Sequence, residues 1–207
     1  MRKFKIFFIV FILASASLYA QVRKEVEFFA MGGLNFYNLK FSYQEALSLP
    51  RHEAELAHSL GGGVRFYLFD KFSLEADVLY KTKKSELVEF SGLNWGDTFY
   101  TLRYFSFPVL VHYSFPSLGF NFFANFGLEI NILRNSQLED KKNEITKNPI
   151  PYTSPADFQL VGGCGIRYKP FSFELRYGFG LSNLNTETKN RLVIKNRGFE
   201  LFIAYHF

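Results

Sequence analysis

The sequence predicts an all-β protein, an eight-stranded antiparallel up-and-down transmembrane β-barrel, and three observations carry that prediction. Aromatic and branched apolar residues recur at every second position, with no convincing helical period anywhere. Short and long connections alternate strictly along the chain. The residues that interleave with the aromatics combine glycines with long charged side chains.

The chain opens on basic Met1–Lys5, an apolar run over Phe7–Leu13 and "ASASLYA" before Gln21. That is the pattern of a secretory signal peptide cleaved after Ala20. The run is shorter than the roughly 20 apolar residues of a spanning helix, and polar "QVRKEVE" follows at once, so the segment does not read as a retained anchor. Gln21 rather than Cys follows the cut, which gives no sign of a lipid-modified N-terminus. Residues 1–20 are therefore read as signal peptide and residues 21–207 as one barrel domain.

Removing Arg2, Lys3 and Lys5 from the 24 basic residues leaves 21 against 19 acidic ones, so the mature chain is almost neutral and no nucleic-acid partner is expected. The single cysteine, Cys164, excludes a disulfide-stapled secreted scaffold. With 27 Phe and 12 Tyr at a mean hydropathy of −0.03, large apolar residues must be evenly interleaved with polar ones.

The strands follow in order. A first is expected near Val26–Phe36. In "HSLGGGVRFYLF" one parity is Leu60, Gly62, Val64, Phe66 and Leu68. Through Asp70-Lys71 it turns into Phe72, Leu74, Ala76, Val78 and Tyr80, set against Ser73, Glu75, Asp77, Leu79 and Lys81. Phe105, Phe107, Val109, Val111 and Tyr113 lead through "PSLG" into Phe120, Phe122, Ala124, Phe126, Leu128 and Ile130. Phe158 to Tyr168 and Phe171 to Leu181 repeat the arrangement around Lys169-Pro170. The last strand carries Phe199, Leu201, Ile203, Tyr205 and Phe207 on one parity. The remaining links, about 37–57, 83–98, 133–156 and 183–195, are long and polar. An up-and-down barrel then gathers all short turns at one end and four long loops at the other, the asymmetry of a bacterial outer-membrane barrel.

A soluble lipocalin-like ligand binder is the competing fold, so the two faces must be assigned. An eight-stranded barrel has an interior only just wide enough for side chains, which the aromatic set would overfill. The other set mixes Gly33, Gly61, Gly63, Gly163, Gly165, Gly178 and Gly180 with Arg65, Arg167, Arg176, Glu75, Asp77, Glu129, Glu174 and Glu200. Glycine beside a long charged chain makes room in a narrow lumen, where these charges and Asn121, Asn125 and Asn131 can satisfy one another. Charge inside and aromatics outside means that the outside is lipid. Pro108 cannot donate to a ladder and reads as a structural bulge or bend in the lipid-exposed wall rather than as a gate.

"RYFSFPVLVHY" (Arg103–Tyr113) resembles the proline-containing strand, of the type Tyr-Leu-Glu-Ile-Pro-Leu-Leu-Leu-Lys-Tyr, of the PorT-like outer membrane protein β-barrel family of small porin-like proteins. "LRYGFGLSNL" (Leu175–Leu184) is similar to that family's Arg-Tyr-x-x-Gly-Leu-x-Asn element, and the last strand fits as well. The resemblance covers essentially the whole mature chain and implies an OmpA/OmpX-like architecture in the outer membrane of a Gram-negative bacterium. It also implies that Phe199, Leu201, Ile203, Tyr205 and Phe207 form the segment read by the barrel-insertion machinery. The chain departs from the pattern at Ser106, where the family often has Glu. One branch of the family belongs to the type IX protein-secretion apparatus, so a transport role, as a narrow small-solute channel or a secretion component, is the alternative to a structural or interaction scaffold.

Chemistry is thin. His52, His58, His112 and His206 show no metal-ligand spacing, and no cofactor or metal is expected. An outer-membrane lipase or acyltransferase needs a Ser and a His together at one rim, and His58 with Ser59 is too local to qualify, so the chain is not read as an enzyme. Gly61–Gly63 has no following Lys-Ser/Thr and reads as lumen packing rather than a phosphate loop. Cys164 falls on the lipid-facing parity as a small hydrophobe. The charge runs Glu139–Lys147 and Thr186–Arg197 read as solvated loops against anionic lipopolysaccharide. Trp95, at the tip of the second loop, either anchors that loop to the membrane interface or forms a contact hot spot. The expected partners are outer-membrane lipid and lipopolysaccharide, the insertion machinery, and an unidentified protein reached through the external loops of a monomer.

Overall fold

In the computed structural model, residues 26–42, 51–90, 93–117, 119–140, 145–147, 150, 153–186 and 193–207 are described. The expected signal peptide lies outside them. The strands are β1 (Val26–Ser42), β2 (Arg51–Tyr67), β3 (Phe72–Phe90), β4 (Leu93–Ser117), β5 (Phe120–Asp140), β6 (Ile145–Lys147), β7 (Ala156–Tyr168), β8 (Phe171–Gly180) and β9 (Val193–His206). Around the wall the order is β4-β3-β2-β1-β9-β8-β7-β5, and pairing of β4 with β5 closes the ring. Eight antiparallel strands thus form a barrel without edges, while three-residue β6 only doubles back on the end of β5. A closed ladder is what a strand protein needs in hydrocarbon, where no water can satisfy a free N–H or C=O.

Residue parity sorts the two faces. Outward residues include Phe28, Leu60, Phe126, Phe173 and Ile203, each about half exposed or more, whereas inward Glu75, Lys81, Glu129 and Arg176 have no exposed surface. The soluble alternative, with aromatics lining a cavity, is therefore not favoured: the aromatic surface is the outer wall. Phe72 with Tyr113, Phe171 with Tyr205 and Phe120 with Tyr168 form ring contacts near the short-turn end. Tyr80 with Phe105 and Tyr177 with Phe199 do so towards the other end. These are the two aromatic girdles of a membrane barrel.

The strands run further than the sequence pattern indicates. β1 continues to Ser42, and β3 and β4 stay paired to Phe90↔Leu93, so most of the expected 83–98 loop is a strand hairpin. Beyond the lipid band neither face of a strand must be apolar, so the period-two signal fades although the ladder continues. Trp95 accordingly falls within β4 rather than at a loop tip, and its side chain lies outside the described residues.

Pro108 also differs from expectation, because it is buried on the lumen side. Its missing N–H interrupts the β3–β4 ladder between Ala76↔Val109 and Leu79↔Ser106, yet the register is the same on both sides, so there is no bulge. Pairing with β5 continues through Pro108↔Glu129. A bulge lies higher and on the partner strand β5, where Asn135 and Leu133 face Arg103 and Tyr104 and leave Arg134 as the extra residue.

The inward glycines sit where strands and cross-lumen side chains crowd together. A Cβ on Gly61 would lie 2.1 Å from the Val78 carbonyl oxygen and 2.8 Å from Leu79 Cδ2, whereas one on outward Gly32 would meet nothing closer than 3.7 Å. Gly61→Ala is expected to reduce the yield of the folded, heat-modifiable form in refolding assays, and Gly32→Ala to leave it at the wild-type level. Equal yields would show that the lumen has slack at this depth.

Candidate functional site

The lumen is built in layers, each from inward positions of several strands. At the short-turn end, Arg167 of β7 pairs with Glu27 of β1. The Tyr67 hydroxyl donates to Glu27 Oε2 at 2.7 Å, and Arg167 Nη1 donates to the Tyr67 oxygen at 2.6 Å. His206 Nδ1 lies 3.4 Å from Glu27, and His206 Nε2 lies 2.9 Å from Ser172 Oγ.

Above this rim, Phe29, Met31, Leu79, Phe202 and Ala204 form an apolar layer. Arg65 and Arg176 lie against it: the Arg65 guanidinium is 5.8 Å from the Phe29 ring centre, and that of Arg176 is 5.0 Å from the Phe202 ring centre. Arg65 Nη2 reaches its cross-strand neighbour Glu75 at 2.5 Å. Arg176 goes much further. From β8 it crosses the whole bore to β3, four strands away in either direction, and meets Glu75 and Asp77, each at 2.8 Å. Its Nε also bonds Glu174 at 2.6 Å, and Glu174 accepts from Asn125. His112 Nε2 lies 3.3 Å from Glu75.

The next layer is a second strut. Lys81 of β3 places Nζ 2.6 Å from Glu129 of β5 and 2.8 Å from Glu200 of β9. Higher still, Asp157 accepts from Gln159 at 2.6 Å, Asn196 at 2.8 Å and Ser182 at 3.0 Å. Lys83 lies 3.7 Å from Asp157, and its ammonium is 4.2 Å from the Tyr37 ring centre and 5.1 Å from that of Tyr104. Leu39, Leu102, Tyr104 and Leu184 then close the loop-side end with a buried apolar cluster.

All eight charged residues that the sequence assigns to the lumen are buried on its inner face. Arg65, Glu75, Asp77, Glu174 and Arg176 form one network, whereas Glu129 and Glu200 meet at Lys81 and Arg167 turns to Glu27. Satisfaction of these charges thus runs partly through residues outside the expected set, Lys81 and Glu27. Sequence reasoning missed Glu27, Lys81, Lys83, Asp157 and His112. The parity of β3 already placed Lys81 inward, the expected first strand already held Glu27 on the inward parity of Gly33, and a correct start for β7 would have exposed Asp157. Together, carboxylates Glu27, Glu75, Asp77, Glu129, Asp157, Glu174 and Glu200 outnumber cations Arg65, Lys81, Lys83, Arg167 and Arg176 by two, and His112 and His206 each face one of those carboxylates.

Phe199, Leu201, Ile203, Tyr205 and Phe207 all lie exposed on the outer wall, and Cys164 is exposed there too. Ser172, His206 and Glu27 fall in the order of a nucleophile, a base and a carboxylate, a juxtaposition hidden in the sequence because each comes from a different strand. Ser172 is 3% exposed, and its backbone is held between the ladders to β7 and β9. The trio links β8, β9 and β1 at the rim.

Replacing Arg176 leaves three buried carboxylates without their shared partner, a situation that costs about 3–5 kcal/mol at a buried pair. Arg176→Leu is expected to lower the urea midpoint of the liposome-inserted barrel sharply. Asp77→Asn combined with Arg176→Leu is expected to cost less than the sum of the two single changes. Additive losses would show that the two side chains act independently.

The match to OprG agrees with this architecture. OprG from Pseudomonas aeruginosa aligns at 12% identity over 89% of this chain and 97% of that one, with a TM-score of 0.57. Neisserial surface protein A aligns at 10% identity over 88% and 99%, TM-score 0.49. The attachment invasion locus protein of Yersinia pestis aligns at 13% over 88% and 99%, TM-score 0.46. No curated protein matches the sequence. The family model described as "Outer membrane protein beta-barrel domain" matches residues 19–185, and the chain belongs to that family of outer-membrane barrels.

Proposed function

We propose that this barrel is a plugged structural or interaction scaffold whose working surface is its loop-side end, exported by its signal peptide to the outer membrane of a Gram-negative bacterium. The observation that supports this reading is the stacking of the lumen: an apolar layer around Leu79, the Arg176 and Lys81 struts, and the cluster around Tyr104 all cross one narrow bore. A conducting pore needs a continuous wet path, and side chains that cross the bore in successive layers count against one. Transport, as a small-solute channel or a component of a PorT-like secretion machine, is the alternative. The proline strand Arg103–Tyr113 supports placing the chain near the PorT-like proteins, but it carries no transport chemistry of its own.

In this reading the protein is a monomer without enzymatic activity. The alternating aromatics from Phe199 to Phe207 are the segment bound by the insertion machinery, and an unidentified protein docks on the loops. The extension of β1 to β5 well past the 9–11 residues needed to span a bilayer supports a raised platform there.

Planar-bilayer recording tests the scaffold directly. Inserted wild-type protein, verified by its heat-modifiable migration, is expected to give no steady unitary currents. Steady unitary currents would overturn the scaffold reading in favour of transport.

A further inference from the structure

We infer that the outer wall at β1, β9 and β8 carries a binding site for the phosphate groups of an outer-leaflet glycolipid, built from Lys40, Lys195 and Arg197. The inference rests on the membrane orientation of the proposed function.

The register brings these cations together. Lys40 of β1 is directly opposite Lys195 of β9, and two positions along β9 Arg197 is opposite Asn38. The intervening residues Leu39, Asn196 and Gly198 are buried on the inner side, so all three cations point away from the lumen. Directly opposed side chains on one sheet face stand about 5 Å apart, where like charges repel. Lys40 and Lys195 are such a like-charged pair, and no described residue forms an ion pair with either of them or with Arg197. At the remaining outward positions of this height the same three strands offer Asn38, Ser42, Val193 and Phe179, so among the described residues of these strands no carboxylate stands on that face. A neighbouring anion has to come from elsewhere.

Arg197 is presented rather than trailing in solvent. Its guanidinium stacks 4.3 Å from the Phe179 ring centre, and its Nε is buried without a hydrogen-bond partner. A stacked guanidinium holds its remaining N–H groups as a fixed fork, suited to two oxygens of a phosphate.

Depth identifies the ligand. Immediately below this patch, Phe36 is opposite Phe199 and Phe199 is opposite Tyr177, the upper aromatic girdle. On β1 the outward residues from Phe28 to Phe36 are apolar over about 26 Å of strand, roughly 20 Å of height at the tilt of about 40° usual in such barrels, so the cations stand at the upper edge of the apolar band. The anion found at that height on the loop side of an outer-membrane barrel is the phosphate of the outer-leaflet lipid headgroup.

The test uses the full refolded protein in detergent micelles doped with diphosphorylated lipid A, its fully dephosphorylated form, or phosphatidylglycerol, with bound lipid counted by native mass spectrometry. Wild type is expected to retain diphosphorylated lipid A, and Lys40→Gln/Lys195→Gln/Arg197→Gln to retain about a hundredfold less, at about fivefold per cation. Unchanged heat-modifiable migration shows that the variant is still a folded barrel, and loss of that migration in wild type would count against the membrane reading itself. A single Arg197→Lys change is expected to weaken retention less than Arg197→Gln. Equal retention by wild type and the triple variant, equal binding of dephosphorylated lipid A, or complete displacement by millimolar inorganic phosphate would overturn the assignment.

Discussion

A strand surrounded by hydrocarbon has no water with which to satisfy its backbone, and this constraint decides the rest of the molecule. It requires a ring without edges, which the β1–β9 and β4–β5 ladders complete. With eight strands the ring is narrow, so whatever points inward must fit among glycines and meet its own partners. Arg176 shows how strictly this holds: one guanidinium spans the bore and serves Glu75, Asp77 and Glu174 together. Lys81 does the same for Glu129 and Glu200 one layer higher. These contacts join strands that are not neighbours in the ladder, so the lumen ties opposite sides of the ring together.

The wall and its faces were legible from sequence because hydrophobic pressure acts on every second residue throughout the lipid band. Gly61, Gly63, Arg65, Glu75 and Asp77 declared the inner parity of one hairpin, and Phe199 to Phe207 declared the outer parity of the last strand. Legibility ended where that pressure ended. Beyond the girdles both faces of β3 and β4 meet polar surroundings, so the hairpin through Lys83–Thr98 looked like a loop. Asp157 was lost for a related reason, because it stands at the first turn of β7, where one polar residue does not separate strand from link.

Partner choice inside the lumen was less legible than membership. Parity states that Glu200 and Arg167 face inward, but which cation meets which carboxylate depends on strand tilt and on distance around the ring, neither of which a single strand encodes. Glu200 therefore goes to Lys81, and Arg167 to Glu27 three strands away. Pro108 is instructive in the same sense. Its missing donor was evident, but the lumen-side position follows only from counting back from the true ladder, which stays in register across the gap.

The aromatic face lies in lipid around a closed barrel. The most direct measurement is to express the full chain in a Gram-negative host, fractionate the envelope, and compare boiled with unboiled outer-membrane samples on a denaturing gel. A detergent-resistant band that migrates faster when unboiled is expected in the outer-membrane fraction. A soluble periplasmic protein with identical migration in both samples would contradict it.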